Sequence, residues 1–216
     1  MRRILHGMRA FQDDVFPACR SQFEQLAKGQ QPSTLFITCS DSRIVPHLLT
    51  QTEPGELFVL RNAGNLVPPF TAERSGEAAT IEYALQALRV QDVVVCGHSH
   101  CGAITGVLRP ELVEGLPAVE RWLAHAGTIR DEILNRQFAA DSDDDPLTAA
   151  VKANVLVQLD HLRTYPAVAS ATARGALALH GCFYRFETGE VNVFDPAAGK
   201  FVPIEQHSSV REPSAA

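Results

Sequence analysis

The feature that most constrains the fold is a pair of apolar runs, each of which leads directly into residues that can bind a metal. The first run, Leu35–Cys39, ends in a cysteine, and the second, Asp92–Cys96, is followed by Gly-His-Ser-His-Cys at 97–101. Both runs are short and apolar, which predicts buried strands. Because open α/β sheets bind ligands at the carboxyl ends of their strands, the runs predict neighbouring parallel strands with a site at that edge.

The residue types at this edge are those of a zinc site. His98 and Cys101 are three residues apart on a tight turn, so that an imidazole and a thiolate can bind one zinc ion. Two ligands do not complete a protein zinc site, and Cys39 is the candidate third. The fourth position then falls near Asp41, which can pair with Arg43 two residues later. If Asp41 binds the metal the site is closed and structural, whereas pairing with Arg43 leaves a position open for catalysis.

The rest of the chain alternates between strand and helix patterns, which predicts an α/β fold whose mainly parallel central sheet is flanked by helices. Strands are predicted at Thr34–Thr38, at Leu57–Leu60 and from Asp92, with a C-terminal hairpin formed by Leu177–Phe186 and Val191–Phe194. Helices are predicted at His47–Thr50, from Gly76, from Gly102, over Leu116–Phe138, and from Pro146 to Tyr165-Pro166. Asp145 is the expected N-cap of that last helix. The amides at the start of the Gly102 helix should stabilise the Cys101 thiolate.

The two ends of the chain depart from this pattern. Residues 1–30 are predicted to form an N-terminal helical arm, because residues 4–26 place apolar side chains at helical spacing and Pro17 divides them into two helices. Whether this arm packs on its own domain or on a second subunit stays open, although its apolar side chains need some cover. Residues 205–216 are polar and are predicted to be a loose tail.

Composition limits the classes of function. With 216 residues, 45% of them hydrophobic, residues 1–216 are expected to form one domain with a full core. A net charge of −6 argues against nucleic acid and anionic membranes as partners. Without a membrane-length apolar run or a recognisable secretory signal, we expect a cytoplasmic protein. Because the cytoplasm is reducing, the five cysteines are expected to bind metal or to be buried and not to form disulfides. Cys19, Cys96 and Cys182 are expected in the core.

Three segments together resemble the β-class carbonic anhydrases: Cys39-Ser-Asp41-Ser-Arg43, Gly97-His98-Ser-His-Cys101-Gly102 and, between them, Arg61-Asn62-Ala-Gly-Asn65. The resemblance implies one zinc ion per chain, bound by Cys39, His98 and Cys101. It implies reversible hydration of carbon dioxide to bicarbonate and a proton by zinc-hydroxide attack. It also implies that Asp41 and Arg43 are the catalytic pair, with Asp41 as a fourth zinc ligand only in a closed form.

The resemblance extends to the substrate pocket and to the assembly. Gln30 matches a glutamine that is placed over the substrate, Phe58 and Tyr83 match the aromatic wall of the pocket, and Gly102 is expected beside them. Without the resemblance, Phe58 and Tyr83 would be assigned to the core. The implied assembly is a homodimer unit within a tetramer or larger oligomer, in which the arm reaches across to a second subunit.

Three alternatives stay open. Cys39, Asp41, His98 and Cys101 could form a purely structural zinc site. The same scaffold could hydrolyse carbonyl sulfide or carbon disulfide, and the zinc ligands do not decide between these substrates, although Gln30 favours carbon dioxide. The chain could also be a non-catalytic zinc-bearing assembly subunit, which has no need for an Asp–Arg pair. His100 is expected to face outward, and its role stays open.

Some bacterial β-class enzymes also carry a second, non-catalytic bicarbonate site that locks the aspartate onto the metal. The resemblance places in that site an arginine, a tyrosine, and a tryptophan three residues before the first zinc cysteine. Arg61 and Tyr184 match the first two, but Phe36 stands in the tryptophan position. Because phenylalanine has no N–H group to donate, we expect Asp41 to stay on Arg43.

Overall fold

In the computed structural model, which describes residues 1–71, 75–127, 129 and 144–207, six strands form one sheet. The strands are β1 (Thr34–Cys39), β2 (Leu57–Asn62), β3 (Asp92–His98), β4 (Ala178–Tyr184), β5 (Val191–Asp195) and β6 (Lys200–Pro203). They lie in the order β2-β1-β3-β4-β5-β6, with β1 to β4 parallel and β5 and β6 antiparallel. The predicted α/β class, with a mainly parallel sheet and a C-terminal antiparallel hairpin, is confirmed.

Helices precede β1 and connect the strands. They are α1 (Arg2–Ala10), α2 (Phe16–Ala18), α3 (Arg20–Leu26), α4 (Pro46–Thr50), α5 (Gly76–Gln86), α6 (Gly102–Leu108), α7 (Pro117–Leu123), α8 (Pro146–Arg163) and α9 (Pro166–Ala173). Helix α8 begins as predicted, because the Asp145 side chain accepts hydrogen bonds from the amides of Leu147 and Thr148. Over the described ranges, no helix has the length and apolar character that crossing a membrane requires.

Two elements were not predicted, and two predictions are only partly described. Pro166 begins α9 instead of ending the helical region. Proline is tolerated there because an N–H group in the first turn of a helix makes no hydrogen bond within the helix, so its absence costs nothing. Strand β6 is a four-residue edge strand that forms by pairing with β5. The helix expected over Leu116–Phe138 is α7 followed by a 3₁₀ turn at Ala124–Ala126. Residues 130–138, and residues 208–216 of the expected tail, lie outside the described residues.

The register of the parallel strands positions the site. Cys39 lies beside Asn62 at the carboxyl ends of β1 and β2, and Thr38 lies beside Cys96 on β3. Strand β3 continues from there to His98. Both zinc segments therefore reach the same edge of the sheet, the edge at which parallel α/β sheets bind ligands.

Two glycines allow α8 to pack closely on β3 and β4. A Cβ atom at Gly97 would lie 2.7 Å from a methyl carbon of Val151, and one at Gly181 would lie 2.9 Å from a methyl carbon of Val155. Both separations are well below the optimal distance between carbon atoms, about 3.5–4.0 Å. The two glycines thus set the approach of the helix to the strand that carries His98.

A row of polar side chains on α8 holds the loop that follows β2. Asn154 donates its amide N–H to the carbonyl oxygen of Gly64 at 2.9 Å, and Gln158 accepts from the amide of Val67 at 2.7 Å. His161 donates from Nδ1 to the carbonyl oxygen of Val67 at 2.7 Å. Because residues three and four apart share one helix face, a single helix satisfies loop groups that would otherwise be buried without partners.

The N-terminal arm (residues 1–30) is helical, as predicted, but its helices bury no residue. The chain breaks at Cys19 (φ −116°, ψ 20°) and not at Pro17. Proline is tolerated in the first turn of a helix, where Pro17 lies, and a π-helical turn over Phe11–Val15 precedes it. The expectation of a core position for Cys19 was wrong, since this residue is partly exposed on the arm.

The apolar side chains of the arm divide into two groups. The rings of Phe11, Phe16 and Phe23 pack on one another, with centroids 5.7 to 6.3 Å apart. Ile4 and Met8, by contrast, are 59% and 63% exposed. The three rings cover one another only in part, since Phe11 is still 43% exposed, and Ile4 and Met8 present a further apolar surface to solvent.

Candidate metal centre

The side chains of Cys39, His98 and Cys101 converge at the carboxyl edge of the sheet. All three residues are buried, and their potential ligand atoms lie within 4.8 Å of one another. Cys39 ends β1, His98 ends β3, and Cys101 directly precedes α6. Two thiolates and one imidazole are a donor set that suits tetrahedral zinc, with one coordination position left for a further ligand.

His98 is oriented to bind a metal through Nε2. Its Nδ1 lies 2.8 Å from the carbonyl oxygen of Ser99. A carbonyl oxygen can only accept, so Nδ1 carries the proton and Nε2 keeps its lone pair. Nε2 is buried and has no hydrogen-bond partner among the described residues. Such an atom is costly to bury unless its lone pair binds a cation, so the imidazole fits the expected zinc.

The two thiols at the centre are coupled through a shared hydrogen bond. The hydrogen bond from Cys101 lowers the pKa of Cys39, against the effect of burial and with smaller help from the amide of Gly64. The same bond, together with burial, raises the pKa of Cys101 far above its usual range. The expected stabilisation by the amides of α6 is present but smaller. Without metal the pair retains one proton, which zinc binding releases.

Asp41 pairs with Arg43 and stays apart from the cluster of ligand atoms. Its Oδ1 accepts from the backbone amide and from Nε of Arg43 at 3.0 and 2.9 Å, and its Oδ2 accepts from Nη2 at 2.7 Å. The side-chain hydrogen bond from Arg43 is the main reason why the pKa of Asp41 lies far below its usual range. The ionised carboxylate is thus held by Arg43, in an arrangement that would leave a metal at the cluster with three protein ligands.

The last two residues of β2 hold the backbone of the site, a role that no sequence pattern predicted. Arg61 donates from Nε to the carbonyl oxygen of Cys39 at 3.0 Å and from Nη2 to that of Asp41 at 2.7 Å. The side-chain amide of Asn62 bonds both the N–H and the carbonyl oxygen of Leu66, at 2.8 and 2.7 Å. Their position in the chain could have indicated this role, because these polar residues end a strand that neighbours the one ending in Cys39.

Two residues from the second half of the chain also reach the site. Asn154 holds the carbonyl group of Gly64, whose amide in turn donates to Sγ of Cys39 at 3.3 Å. Glu187, which was expected only as part of a turn, bonds the side chain of Ser99 at 2.7 Å. A polar residue on a helix and a glutamate in a turn are ordinary features, so no sequence pattern distinguishes them.

The expected pocket residues lie in different places. The rings of Phe58 and Tyr83 pack with centroids 5.9 Å apart. Phe58 is the second residue of β2 and precedes Asn62 by four residues, which is about 13 Å along a strand. In one chain this pair therefore lies well away from the ligand edge. Gln30 is exposed before β1, whereas Gly102 begins α6 directly after a metal ligand.

Two further cysteines are separate from the metal cluster. Cys96 is 1% exposed and packs with Phe36 in an apolar cluster, and its burial raises its pKa well above the usual value. Cys182 lies beside Cys96 on β4, and burial raises its pKa to about 12. Both thiols are therefore neutral near pH 7, and the expected core position of Cys96 is confirmed. His100 is exposed, as expected.

The proteins that this chain resembles in sequence are carbonic anhydrases. The family model described as "Carbonic anhydrase" matches residues 34–191. The carbonic anhydrase of Pseudomonas aeruginosa is 47% identical over 211 residues, which cover 98% of this chain and 95% of the relative. Carbonic anhydrase 1 of Escherichia coli O157:H7 is 46% identical over 221 residues and is covered completely, as is this chain.

Solved structures agree with these relatives. The β-carbonic anhydrase CcaA is 47% identical and superposes with a TM-score of 0.88, covering 94% of this chain and 91% of that one. A tetrameric β-carbonic anhydrase from Sordaria macrospora is 30% identical with a TM-score of 0.71, covering 93% of this chain and 94% of that one. The chain therefore belongs to the β-class carbonic anhydrases, zinc enzymes that interconvert carbon dioxide and bicarbonate.

Proposed function

We propose that this chain hydrates carbon dioxide reversibly, with one zinc ion per chain held by Cys39, His98 and Cys101. Asp41 and Arg43 are proposed as the catalytic pair. The observation that carries the proposal is the two-pronged hydrogen bonding of the Asp41 carboxylate to Arg43, which keeps that carboxylate off the ligand cluster. A purely structural site would instead employ Asp41 as the fourth ligand.

The proposed chemistry depends on how the chain positions one carboxylate. Zinc bound at this site supplies Lewis acidity, which makes a water molecule a competent nucleophile near neutral pH. Arg43 occupies three acceptor positions of Asp41, and an ionised carboxylate has about four. The remaining position can accept a hydrogen bond from the nucleophile and orient it toward carbon dioxide. Because two thiolates cancel the charge of the metal, this orientation matters more than it would with three imidazoles.

Stopped-flow hydration of carbon dioxide with a pH indicator tests the proposal. Zinc-loaded protein should hydrate carbon dioxide, lose this activity on chelation and regain it with zinc. Asp41→Asn should lower kcat/KM by about 100-fold, the usual cost of misplacing a reacting group. Asp13→Asn is the matched control, because Asp13 pairs with Arg9 on the exposed arm, at 3.2 Å.

The same preparation separates the alternatives. Turnover of carbonyl sulfide or carbon disulfide without hydration of carbon dioxide would assign the chain to the hydrolases of this scaffold. Full zinc content without turnover of any of the three substrates would indicate an assembly subunit. The amide of Gln30 favours carbon dioxide, since an amide donor can meet the oxygen that becomes negative during attack.

We further propose that residues 1–216 form one domain that assembles through a homodimer unit into a tetramer or larger oligomer. The exposed apolar side chains of Ile4 and Met8 support a partner for the arm. The distance of Phe58 and Tyr83 from their own ligand edge supports a pocket wall supplied by a second copy. The proposed compartment is the cytoplasm, where a reducing environment keeps the metal thiols available.

Complementation between subunits tests the shared pocket. One chain carries Cys39→Ser and keeps its aromatic wall, and the other carries Phe58→Ala with Tyr83→Ala and keeps its zinc ligands. Each homo-oligomer should be nearly inactive, whereas the co-expressed pair should recover a fraction of wild-type activity. No recovery in a verified mixed oligomer would mean that the wall serves the zinc site of its own chain.

A further inference from the structure

The turn between the ligands His98 and Cys101 has a conformation that needs support. His100 lies in the left-handed region of backbone space, with φ 54°. This region is uncommon for residues other than glycine and persists where surrounding contacts enforce it. The two ligands are held at the right separation only as long as this turn keeps its shape, so the contacts that enforce it matter to the metal.

One carboxylate contacts both residues of that turn. Oε2 of Glu187 accepts the Ser99 hydroxyl hydrogen bond at 2.7 Å, and Oε1 lies 3.1 Å from Nε2 of His100. The Ser99 hydroxyl oxygen also accepts from the amide of Phe186 at 2.9 Å, and the Ser99 amide donates to the carbonyl oxygen of Tyr184 at 2.9 Å. The end of β4 and the turn that follows it thus form hydrogen bonds with the metal-binding turn from one side.

The same segment also reaches the catalytic pair. The Phe186 ring lies 4.9 Å from the imidazole of His98, centroid to centroid. The Arg43 guanidinium also packs on this ring, with its central carbon 4.7 Å from the ring centroid. Arg43 in turn donates to the carbonyl oxygen of His100 at 3.1 Å. A shift of the metal-binding turn would therefore reach both the ligand imidazole and the arginine that holds Asp41.

We propose that Glu187 is a positioning residue for the zinc site, which fixes the turn carrying His98 and Cys101 through Ser99 and His100. The inference rests on the proposed ligand set. The competing interpretation is an ordinary surface carboxylate, since exposed ion pairs contribute little. The two interpretations differ in what the metal experiences, because only a positioning residue changes metal affinity and ligand geometry.

The test uses three variants of the full-length protein. Glu187→Ala removes both contacts, and Glu187→Gln keeps an oxygen acceptor for the Ser99 hydroxyl. Glu190→Ala removes a carboxylate of the same turn that lies 3.6 Å from Arg185, as Glu187 does, but bonds neither Ser99 nor His100. The readouts are the zinc dissociation constant from chelator competition and the visible spectrum of the cobalt(II)-substituted protein, which reports ligand geometry.

Glu187→Ala should weaken zinc binding about 10- to 100-fold, the usual effect of losing a group that orients metal ligands. Its cobalt spectrum should shift, Glu187→Gln should recover most of the affinity, and Glu190→Ala should match the wild type. An unchanged zinc affinity and spectrum in Glu187→Ala would overturn the proposal. These readouts do not require hydration of carbon dioxide, so an inactive wild type would refute the proposed function alone.

Discussion

At the scale of single residues, position separates the cysteines at this end of the sheet. The hydrogen bond from Cys101 lowers the pKa of Cys39, whereas burial keeps Cys96 neutral, with a pKa well above the usual value. The thiolate is the form that binds metal. Cys39 and Cys101 lie together beside His98, so a zinc ion can displace the proton that they share, whereas Cys96 lies with Phe36 in a separate apolar cluster.

Removing a ligand thiol should therefore remove the metal. Purified protein should contain about one zinc ion per chain, and Cys39→Ser or Cys101→Ser should lose most of it, because a hydroxyl does not replace a thiolate ligand. Cys96→Ser is the control and should keep full zinc content. Atomic absorption on dialysed protein measures all three, and full zinc in both ligand variants would show that the ligand set is wrong.

A second prediction at this scale concerns regulation by bicarbonate. Phe36 cannot donate an N–H hydrogen bond, and Arg61 already donates to the carbonyl oxygens of Cys39 and Asp41. A bicarbonate ion buried in the second, non-catalytic site would therefore lack one hydrogen bond to its charge, which costs about 1.5–3 kcal/mol. Activity should then fall with bicarbonate without cooperativity, and a crystal grown near pH 7.5 should show Asp41 on Arg43. Bicarbonate bound against Arg61 and Tyr184, with Asp41 on zinc, would contradict this expectation.

At the scale of elements, α8 connects the core to the site. Its apolar residues Val151 and Val155 approach the glycines of β3 and β4, and its polar residues Asn154 and Gln158 hold the loop after β2. Asn154 and Gln158 are themselves joined by a hydrogen bond of 2.9 Å and are fully buried. One helix thus fixes both the strand that carries His98 and the loop that donates to Cys39.

The close packing of α8 predicts an asymmetry between two glycine substitutions. Gly97→Ala places a methyl group against Val151 and should lower the free energy of unfolding by about 1–3 kcal/mol. Gly76→Ala, at the start of α5, meets no atom within 4 Å and should be neutral or slightly stabilising. Urea unfolding of both variants with zinc bound measures the difference, and equal stabilities would show that α8 can retreat without cost.

The cap of α8 predicts a dependence on pH. Burial opposes ionisation of Asp145, but hydrogen bonds from Thr148 and from the amide of Leu147 outweigh it and lower the pKa. Stabilisation by this carboxylate is therefore present above its unfolded pKa and is lost as pH falls through the folded pKa. Asp145→Ala should cost about 1 kcal/mol at pH 7 and less below pH ~4.

Asp145→Asn provides the control for this cap. Asparagine caps about as well as aspartate but carries no charge, so its stability relative to Asp145→Ala should not depend on this titration. Thermal or urea unfolding of the three proteins between pH 3 and 7 measures the effect. A loss from Asp145→Ala that stays constant over this range would contradict a role for the ionised carboxylate.

At the scale of the whole molecule, the N-terminal arm leaves large apolar side chains exposed, among them Ile4, Leu5 and Met8. Deletion of residues 1–26 should give aggregation or a broken oligomer, since a partner surface would lose its cover. Sedimentation and activity of the truncated protein measure this, with Ile4→Ser combined with Met8→Ser as a milder variant. A soluble, active monomer after the deletion would show that the arm is dispensable.

The sequence predicted the parts of this protein that depend on neighbours along the chain. The spacing of His98 and Cys101, the strand that ends in Cys39 and the cap at Asp145 are local patterns, because one turn or one helix end fixes each geometry. These patterns predicted the α/β class, the edge that carries the site and the donor set. They also showed that Asp41 and Arg43 are close enough in the chain to pair.

The tertiary structure decided what depends on distances between segments far apart in the chain. The sequence left Asp41 two partners, and it could not reveal that Arg61 and Asn154 hold the backbone around Cys39 or that Glu187 meets Ser99. It could not show how far Phe58 lies from the carboxyl edge that carries the metal ligands, because the register of the strands is set by packing of the whole sheet. Such contacts arise only when the strands and α8 come together, and no local pattern of residue types records them.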